Sequence, residues 1–378
     1  MKDLKPRSIK MNEFEDVIDL INEVFRLSNG HKPTMEREFP LLLNKNNIKN
    51  MIIIKEDEKT VADVNFMTQD VLVQGSELKV ASIGAVCTKK EYEGRRFSSS
   101  ILDLVDEKMY EDHVDLVLIS GNRSLYTRRM CSQVKNFYKY LIKPKEIELD
   151  CSIEEYTHVY LNEMIHLYNE NSTRFFRTKD NFNTLLESAT FPWGTYSYKK
   201  LVVKIDNKFI GYIVLRIIDK EIRRGEIIEM ELPMEMVHDV ISHLASESKL
   251  NFIEYWVHIK DIANQLTNYD ELSLDYLHGT IKIINFEKLC KNLEAYFITC
   301  IDKEFVCNME FKTMGDEFLI KYKNEELMIK NVHLLNKLFF EGRSENLDLD
   351  VSTLPIVEKF VDAVFPIPFV WPANLNYQ

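Results

Sequence analysis

The sequence predicts an α/β (α+β) protein built from mixed sheets flanked by helices, on three observations. Between residues 51 and 119, three apolar β-runs lead through one glycine turn into an amphipathic helix and then a fourth apolar run. That is the pattern of an antiparallel meander feeding one crossover helix and a parallel-type strand. The same strand, strand, strand, helix, strand order returns at a spacing of about 130 residues, an internal repeat. Finally, 378 residues exceed one ordinary core, and a 45% hydrophobic composition can fill two or three.

Taken in order, residues 7–10 predict a short first strand. From Asn12, the positions Phe14, Val17, Ile18, Ile21, Val24 and Phe25 fall on one helical face. A polar stretch with Asn29, Gly30 and Pro33 separates this helix from a second helical segment at 35–43. Residues 51–54 form a buried strand and 56–59 a charged turn; two longer β-runs, 61–73 and 78–88, hinge at Gln74, Gly75 and Ser76. Phe97, Ile101, Leu104, Val105 and Met109 then recur at helical spacing, and 114–119 is an apolar strand ended by Ser120 and Gly121. Beyond Pro144, helical stretches are predicted from Ile153 and from Asp180, β-runs at 201–205, 209–217 and 226–231, a helix from Pro233 to near Ser248, and a strand at 252–259. From Gly279 a strand passes into an amphipathic helix ending at Leu293, followed by β-runs at 305–311, 317–323 and 326–329 and a helix at 334–342. The last fifteen residues, VFPIPFVWPANLNYQ, hold four aromatics and three prolines, a composition for burial rather than for solvent.

Composition narrows the function. A formal charge of −12 without a long Lys/Arg block argues against a nucleic-acid partner and suits a cationic or amine ligand. The six cysteines show no CxxC spacing, and no Cys/His group has the spacing of a zinc site, so reduced thiols and no metal are expected. His238 and His243, five apart on one predicted helix, miss a common face and read as packing. With no signal-peptide stretch and no run of eighteen apolar residues, the expectation is a cytoplasmic chain with no membrane partner.

The candidate site lies in IGAVCTKKEYEGRRFSSSIL, residues 83–102, where strand turns through Gly94 into helix. Such a junction presents unpaired N–H groups and the positive end of the helix dipole, an anion site. Gly94 allows close backbone approach, Arg95 and Arg96 add cationic donors, and Ser98, Ser99 and Ser100 fill the first turn. Any strand–turn–helix junction shares these features, and a purely structural role is the commoner use of one glycine.

Element order and the turn at Gly94 resemble the acetyl-CoA-dependent N-acetyltransferase superfamily called GNAT. Its signature Q/R-x-x-G-x-G/A loop, between the fourth strand and third helix, corresponds to Glu91, Tyr92, Glu93, Gly94, Arg95, Arg96. Gly94 matches; Glu91 and Arg96 depart. The segment ISGNRSLYTRRMCSQV resembles the family stretch bearing a tyrosine general acid, which falls on Tyr126, with Met130 where a glycine is common. Residues 279–342 resemble the sterol carrier protein-like domain of the enhanced intracellular survival (Eis) type. The implied domains are 1–145 (GNAT-like, with the coenzyme loop), 146–276 (GNAT-like, without it, since ELPMEMVHDV has no glycine) and 277–378 (sterol carrier protein-like, its tail reaching the active site).

The resemblance implies direct acetyl transfer from acetyl-CoA to a primary amine in an assembly of identical chains. The pyrophosphate would rest on Gly94, Arg95, Arg96, Phe97 and Ser98, and the pantetheine arm on the backbone of Val86 and Thr88. Tyr126 would protonate the departing thiolate, and the terminal carboxylate of Gln378, or water, would take the amine proton. Neither Cys87 nor Cys131 is needed as a nucleophile. The alternative is a GNAT-derived protein that has lost the chemistry and binds a small molecule, a lipid-like ligand or a protein; Glu91, Arg96 and Met130 favour it.

Overall fold

A computed structural model describes residues 4–343, 347, 349 and 351–377. Its contacts divide into two units, one comprising residues up to 134 with 278–367, the other 135–277 with 368–377.

In the first unit the chain forms β1 (Arg7–Ser8), α1 (Phe14–Phe25), α2 (Met35–Glu38), β2 (Met51–Glu56), β3 (Lys59–Val73), β4 (Ser76–Thr88), α3 (Phe97–Glu111), β5 (Leu116–Ile119) and α4 (Ser124–Thr127). The β3–β4 hairpin closes on Gln74 and Gly75, both at positive φ, between the paired residues Val73 and Ser76. Two positive-φ residues are what a two-residue turn needs to match the twist of its strands. Strand β2 shows why this sheet is buried on both faces. Ile52 and Ile54 pack in the cluster that holds Ile101, Leu102 and Val105 of α3; Met51 and Ile53 pack with Val17, Ile18 and Ile21 of α1. Alternate residues of a strand point to opposite faces, so a continuous apolar run places one helix on each.

The second unit contains β6 (Lys135–Ile142), β7 (Ser152–Glu155), α5 (Leu161–Glu170), β8 (Thr173–Phe175), α6 (Lys179–Ser188), β9 (Tyr196–Ile205), β10 (Lys208–Ile218), β11 (Arg224–Glu231), α7 (Met234–Glu247), β12 (Ile253–His258) and β13 (Glu271–Tyr276). Its strands run β13-β6-β12-β11-β10-β9-β7. The predicted helix at Ile153 is corrected to strand β7, paired antiparallel with β9 from Ser152↔Lys204 to Glu155↔Leu201. A free sheet edge supplied the hydrogen bonds, and the helix begins only at Leu161. The repeat is real: β9, β10 and β11 are antiparallel, α7 crosses over, and β12 pairs parallel with β11, as β4, α3 and β5 do in the first unit. Residues 368–377 belong to this unit, where the Trp371 ring stacks on Trp256 at 4.9 Å and meets the edge of Phe137 at 4.9 Å.

The chain returns to the first unit with β14 (Thr280–Ile283), α8 (Phe286–Asn292), α9 (Glu294–Cys300), α10 (Lys303–Cys307), β15 (Met309–Met314), β16 (Glu317–Tyr322), β17 (Glu325–Ile329), α11 (Val332–Glu341) and α12 (Pro355–Val364). Strand β14 adds to β5, extending the first sheet to β1-β2-β3-β4-β5-β14. Buried Asn336 of α11 accepts from Ile283 N at 2.9 Å and donates to Met130 O and Ser132 Oγ at 3.0 Å. Residues 305–311, predicted as a β-run, split into the end of α10 and the start of β15, because the Asp302 carboxylate accepts from the N–H of Glu304 at 2.8 Å and nucleates a helical turn.

Candidate functional site

The parallel ladder between β4 and β5 runs from Val80↔Leu116 to Ile83↔Ile119 and stops. Strand β4 continues to Thr88, so the two strands part and leave the β5-facing edge of residues 84–88 beyond the ladder. Within this stretch β4 bulges. Asp63 of β3 pairs with Cys87 and Asn65 with Gly84, so the β4 strand holds one extra residue, and Ala85 takes φ 50°. Bulges of this kind re-aim backbone beside functional sites. The second unit parts its strands likewise, since β11–β12 pairing ends at Glu226↔Glu254 while β11 continues to Glu231.

From Thr88 the chain passes through an exposed turn into α3. Gly94 has φ 78°, with open space where a Cβ would stand, and Arg96, directly before the helix, is left-handed at φ 63°. The Arg96 side chain makes no capping hydrogen bond to the first turn of α3, whose N–H groups at Phe97, Ser98 and Ser99 have no partner within a helix by geometry. The junction can therefore take an oxyanion such as a phosphate. The Thr88 and Ser98 hydroxyls, 2.8 Å apart, tie the end of β4 to that turn. Arg95 is engaged elsewhere: its guanidinium donates to Glu56 at 2.9 and 3.1 Å and covers the rings of Tyr92 and Phe97 at 5.2 and 4.8 Å. It braces the turn from outside. Sequence reasoning did not connect Glu56 with this role, since 39 residues separate the pair.

Tyr126 sits in α4, just past β5, and is 3% exposed. It belongs to the same apolar cluster as Ile83, Val86, Ile101 and Ile119, against which Phe97 also packs. The structure thus brings Val86, Phe97 and Tyr126 together at the parting of β4 and β5. Burial pushes the Tyr126 phenol above its ordinary range, partly offset by Arg123, whose guanidinium lies 6.0 Å from the ring. It is a neutral O–H donor at neutral pH, the form a general acid requires. Burial also raises the Cys131 thiol to about 11 and raises Cys87 strongly, so neither is a thiolate nucleophile. Gln378 lies outside the described residues. Asn376 of the tail accepts from Arg177 Nε at 2.6 Å.

In the second unit the turn leading to α7 carries Pro233 as its cap and acidic Glu231 and Glu235 around it, with no glycine. The acidic side chain of Glu235, in the first turn of α7, disfavours an anion there. Among the described residues no group of three or more His, Cys, Asp or Glu could hold a metal ion, and no helix is long and apolar enough to cross a membrane.

The parted parallel strands, the bulge and the glycine turn on a helix N-terminus give the first unit a GNAT-type fold. Residues 5–131 match the family model described as acetyltransferase (GNAT) domain. No curated protein matches the chain. Among solved structures it is similar to a GCN5-related N-acetyltransferase from Anabaena variabilis (12% identity, TM-score 0.66, 97% of this chain and 98% of that one). It is similar too to a conserved protein of unknown function from Enterococcus faecalis described as a probable N-acyltransferase (15%, 0.66, 94% and 96%). Eis1 from Mycobacterium abscessus is also similar (11%, 0.56, 95% and 95%). At these identities the likeness is one of fold, and it extends over nearly the whole chain.

Proposed function

We propose that the chain is an acetyl-CoA-dependent N-acetyltransferase acting directly on a primary amine. The observation that carries this reading is the continuous path from the β4–β5 parting, through the Ala85 bulge, to the first turn of α3. The first turn of α3 with Gly94 would hold the pyrophosphate, and the backbone of Val86 and Thr88 the pantetheine arm and the thioester carbonyl. The amine nitrogen forms the new N–C(acyl) bond as the C–S bond breaks, and Tyr126 gives its proton to the departing sulfur. The amine's own proton goes to water or to the carboxylate of Gln378. The Eis-like type, the sterol carrier protein-like reading of residues 277–378, a cytoplasmic setting and self-association belong to this proposal; a fold likeness that spans the chain supports the first two.

The second reading, a binding protein without transfer chemistry, is favoured by one observation: the turn carries the bulky Arg96 at its left-handed position. Calorimetric titration with acetyl-CoA separates the two. A micromolar dissociation constant, about 8 kcal/mol of binding free energy, supports the enzyme. A folded protein that shows no binding supports the second reading.

A further inference from the structure

Three polar side chains lie in the otherwise apolar sheet directly behind the β4 bulge. Asp63 is fully buried; its Oδ1 accepts from the Cys87 thiol at 2.6 Å, and its Oδ2 accepts from the Asn65 amide. The same Asn65 Nδ2 donates to the carbonyl of Ala85 at 3.3 Å, while its Oδ1 has no partner. A buried carboxylate is costly unless its oxygens are bonded. Here both bonds go to residues that bracket the bulge, and one reaches Ala85 itself, whose left-handed backbone is unfavourable for a residue with a Cβ.

From this geometry we infer that Asp63 is a positioning residue for the acyl-binding edge, clasping Cys87 and Asn65 so that the backbone of residues 85–88 keeps its bulged course. The inference rests on the reading of β4 as the edge that receives the thioester. The clasp depends on the charge state of Asp63. As an ion it is acceptor-only and satisfies both donors. Protonated, it needs an acceptor, and Asn65 can offer its unpartnered Oδ1 only by turning its amide over, which withdraws the donor from Ala85 O. Burial raises the Asp63 carboxyl to about 7, with Cys87 and Asn65 pulling it back, so the two forms exchange near neutrality. Around the clasp, Glu23 of α1 and Arg123 before α4 act on Cys87 with opposite signs.

The test needs no knowledge of the amine. Hydrogen–deuterium exchange of amides 85–88, corrected for intrinsic rates, is measured at pH 6 and pH 8, together with acetyl-CoA titration. In the wild type, protection at these amides should rise with pH. Asp63→Asn keeps the size and loses the ion: protection should fall and lose its pH dependence, and acetyl-CoA should bind about tenfold more weakly, in line with the cost of small misplacements in a site. Cys87→Ser keeps a donor and should behave as wild type, whereas Cys87→Ala should move part of the way to Asp63→Asn. Unchanged protection and affinity in Asp63→Asn overturn the inference. If that variant does not fold, equal behaviour of the Cys87 serine and alanine variants overturns it. A wild type that fails to bind acetyl-CoA removes the enzyme reading, while the exchange data still decide whether Asp63 holds the bulge.

Discussion

Arg96 and Met130 share one backbone conformation, left-handed at φ 63° and 62°, and they stand at the two places where the GNAT resemblance leads one to expect glycine. At both turns the backbone takes a conformation that glycine adopts without strain, and each position carries a residue with a Cβ. A left-handed residue with a Cβ costs roughly 1–2 kcal/mol, so these turns are held by their surroundings. Among the ties that hold them are the Ser100 N–H donating to Arg96 O at 3.0 Å with the Thr88–Ser98 contact, and the Met130 N–H donating to Thr127 O at 3.1 Å with Asn336 donating to Met130 O.

Arg96→Gly should therefore stabilise the fold by up to about 1 kcal/mol, the relieved strain being offset in part by the greater freedom of glycine in the unfolded chain. Because the backbone N–H groups make the anion site, acetyl-CoA affinity should stay within about threefold. Urea titration and calorimetry measure the two. A gain in affinity of tenfold or more would mean that the arginine blocks the loop, as the binding-protein reading holds.

Tyr126→Phe should lower kcat by roughly ten- to a thousandfold while leaving acetyl-CoA affinity almost unchanged, since only the proton donor is lost. Steady-state kinetics with calorimetry on the same sample check it. Unchanged turnover would remove Tyr126 from the mechanism.

Removing Tyr377 and Gln378 tests the tail. If the terminal carboxylate is the base, turnover should fall by about a hundredfold with acetyl-CoA binding retained. Full activity would leave water as the acceptor of the amine proton.

Arg177 is buried at 1% exposure and pairs with Glu229 at 2.7 and 2.9 Å, with Tyr168 beneath its guanidinium at 3.9 Å. Arg177→Met takes the cation from Glu229, which keeps the Tyr212 hydroxyl as a donor, and releases Asn376. Breaking a buried pair costs about 3–5 kcal/mol, which a urea midpoint would show. Limited proteolysis should cut the tail sooner.

Glu231 gives the pH dependence its sign. Burial, then the neighbouring charge of Glu229, raise its carboxyl to about 8 from 4.5. The folded state therefore holds a proton that the unfolded state has released between pH 4.5 and 8, and stability falls as pH rises through that window. Asp63, raised to about 7, acts in the same sense. Glu231→Gln should shrink the loss of stability between pH 6 and pH 9 by about 1–2 kcal/mol, discounted for its partly solvated side chain. Denaturant melts at the two pH values decide it. An unchanged difference would mean that Glu231 is ionised throughout.

Much of this was legible in the residues alone. The continuous burial of Met51, Ile52, Ile53 and Ile54, the hinge at Gln74 and Gly75, the helix start after Gly94 and the second strand–helix–strand repeat all follow from apolar patterning and turn chemistry, which act between neighbours in the chain. The boundaries that failed, at Ile153 and at 305–311, failed where a distant strand or a short cap outweighed local propensity. The sequence reading passed over Asp63 and Asn65 within the β-run 61–73, because the thiol that Asp63 accepts from is 24 residues away. The same holds for Arg95 and Glu56, for Asn336 and Met130, and for β14 beside β5. The left-handed turns at Arg96 and Met130 were hidden for a different reason, since neither residue advertises that conformation. Local sequence set which segments became strands and helices and where the anion-ready turn would fall; the tertiary structure alone chose the partners across the sheet, because contacts that close long loops form only when the whole core repays their entropy.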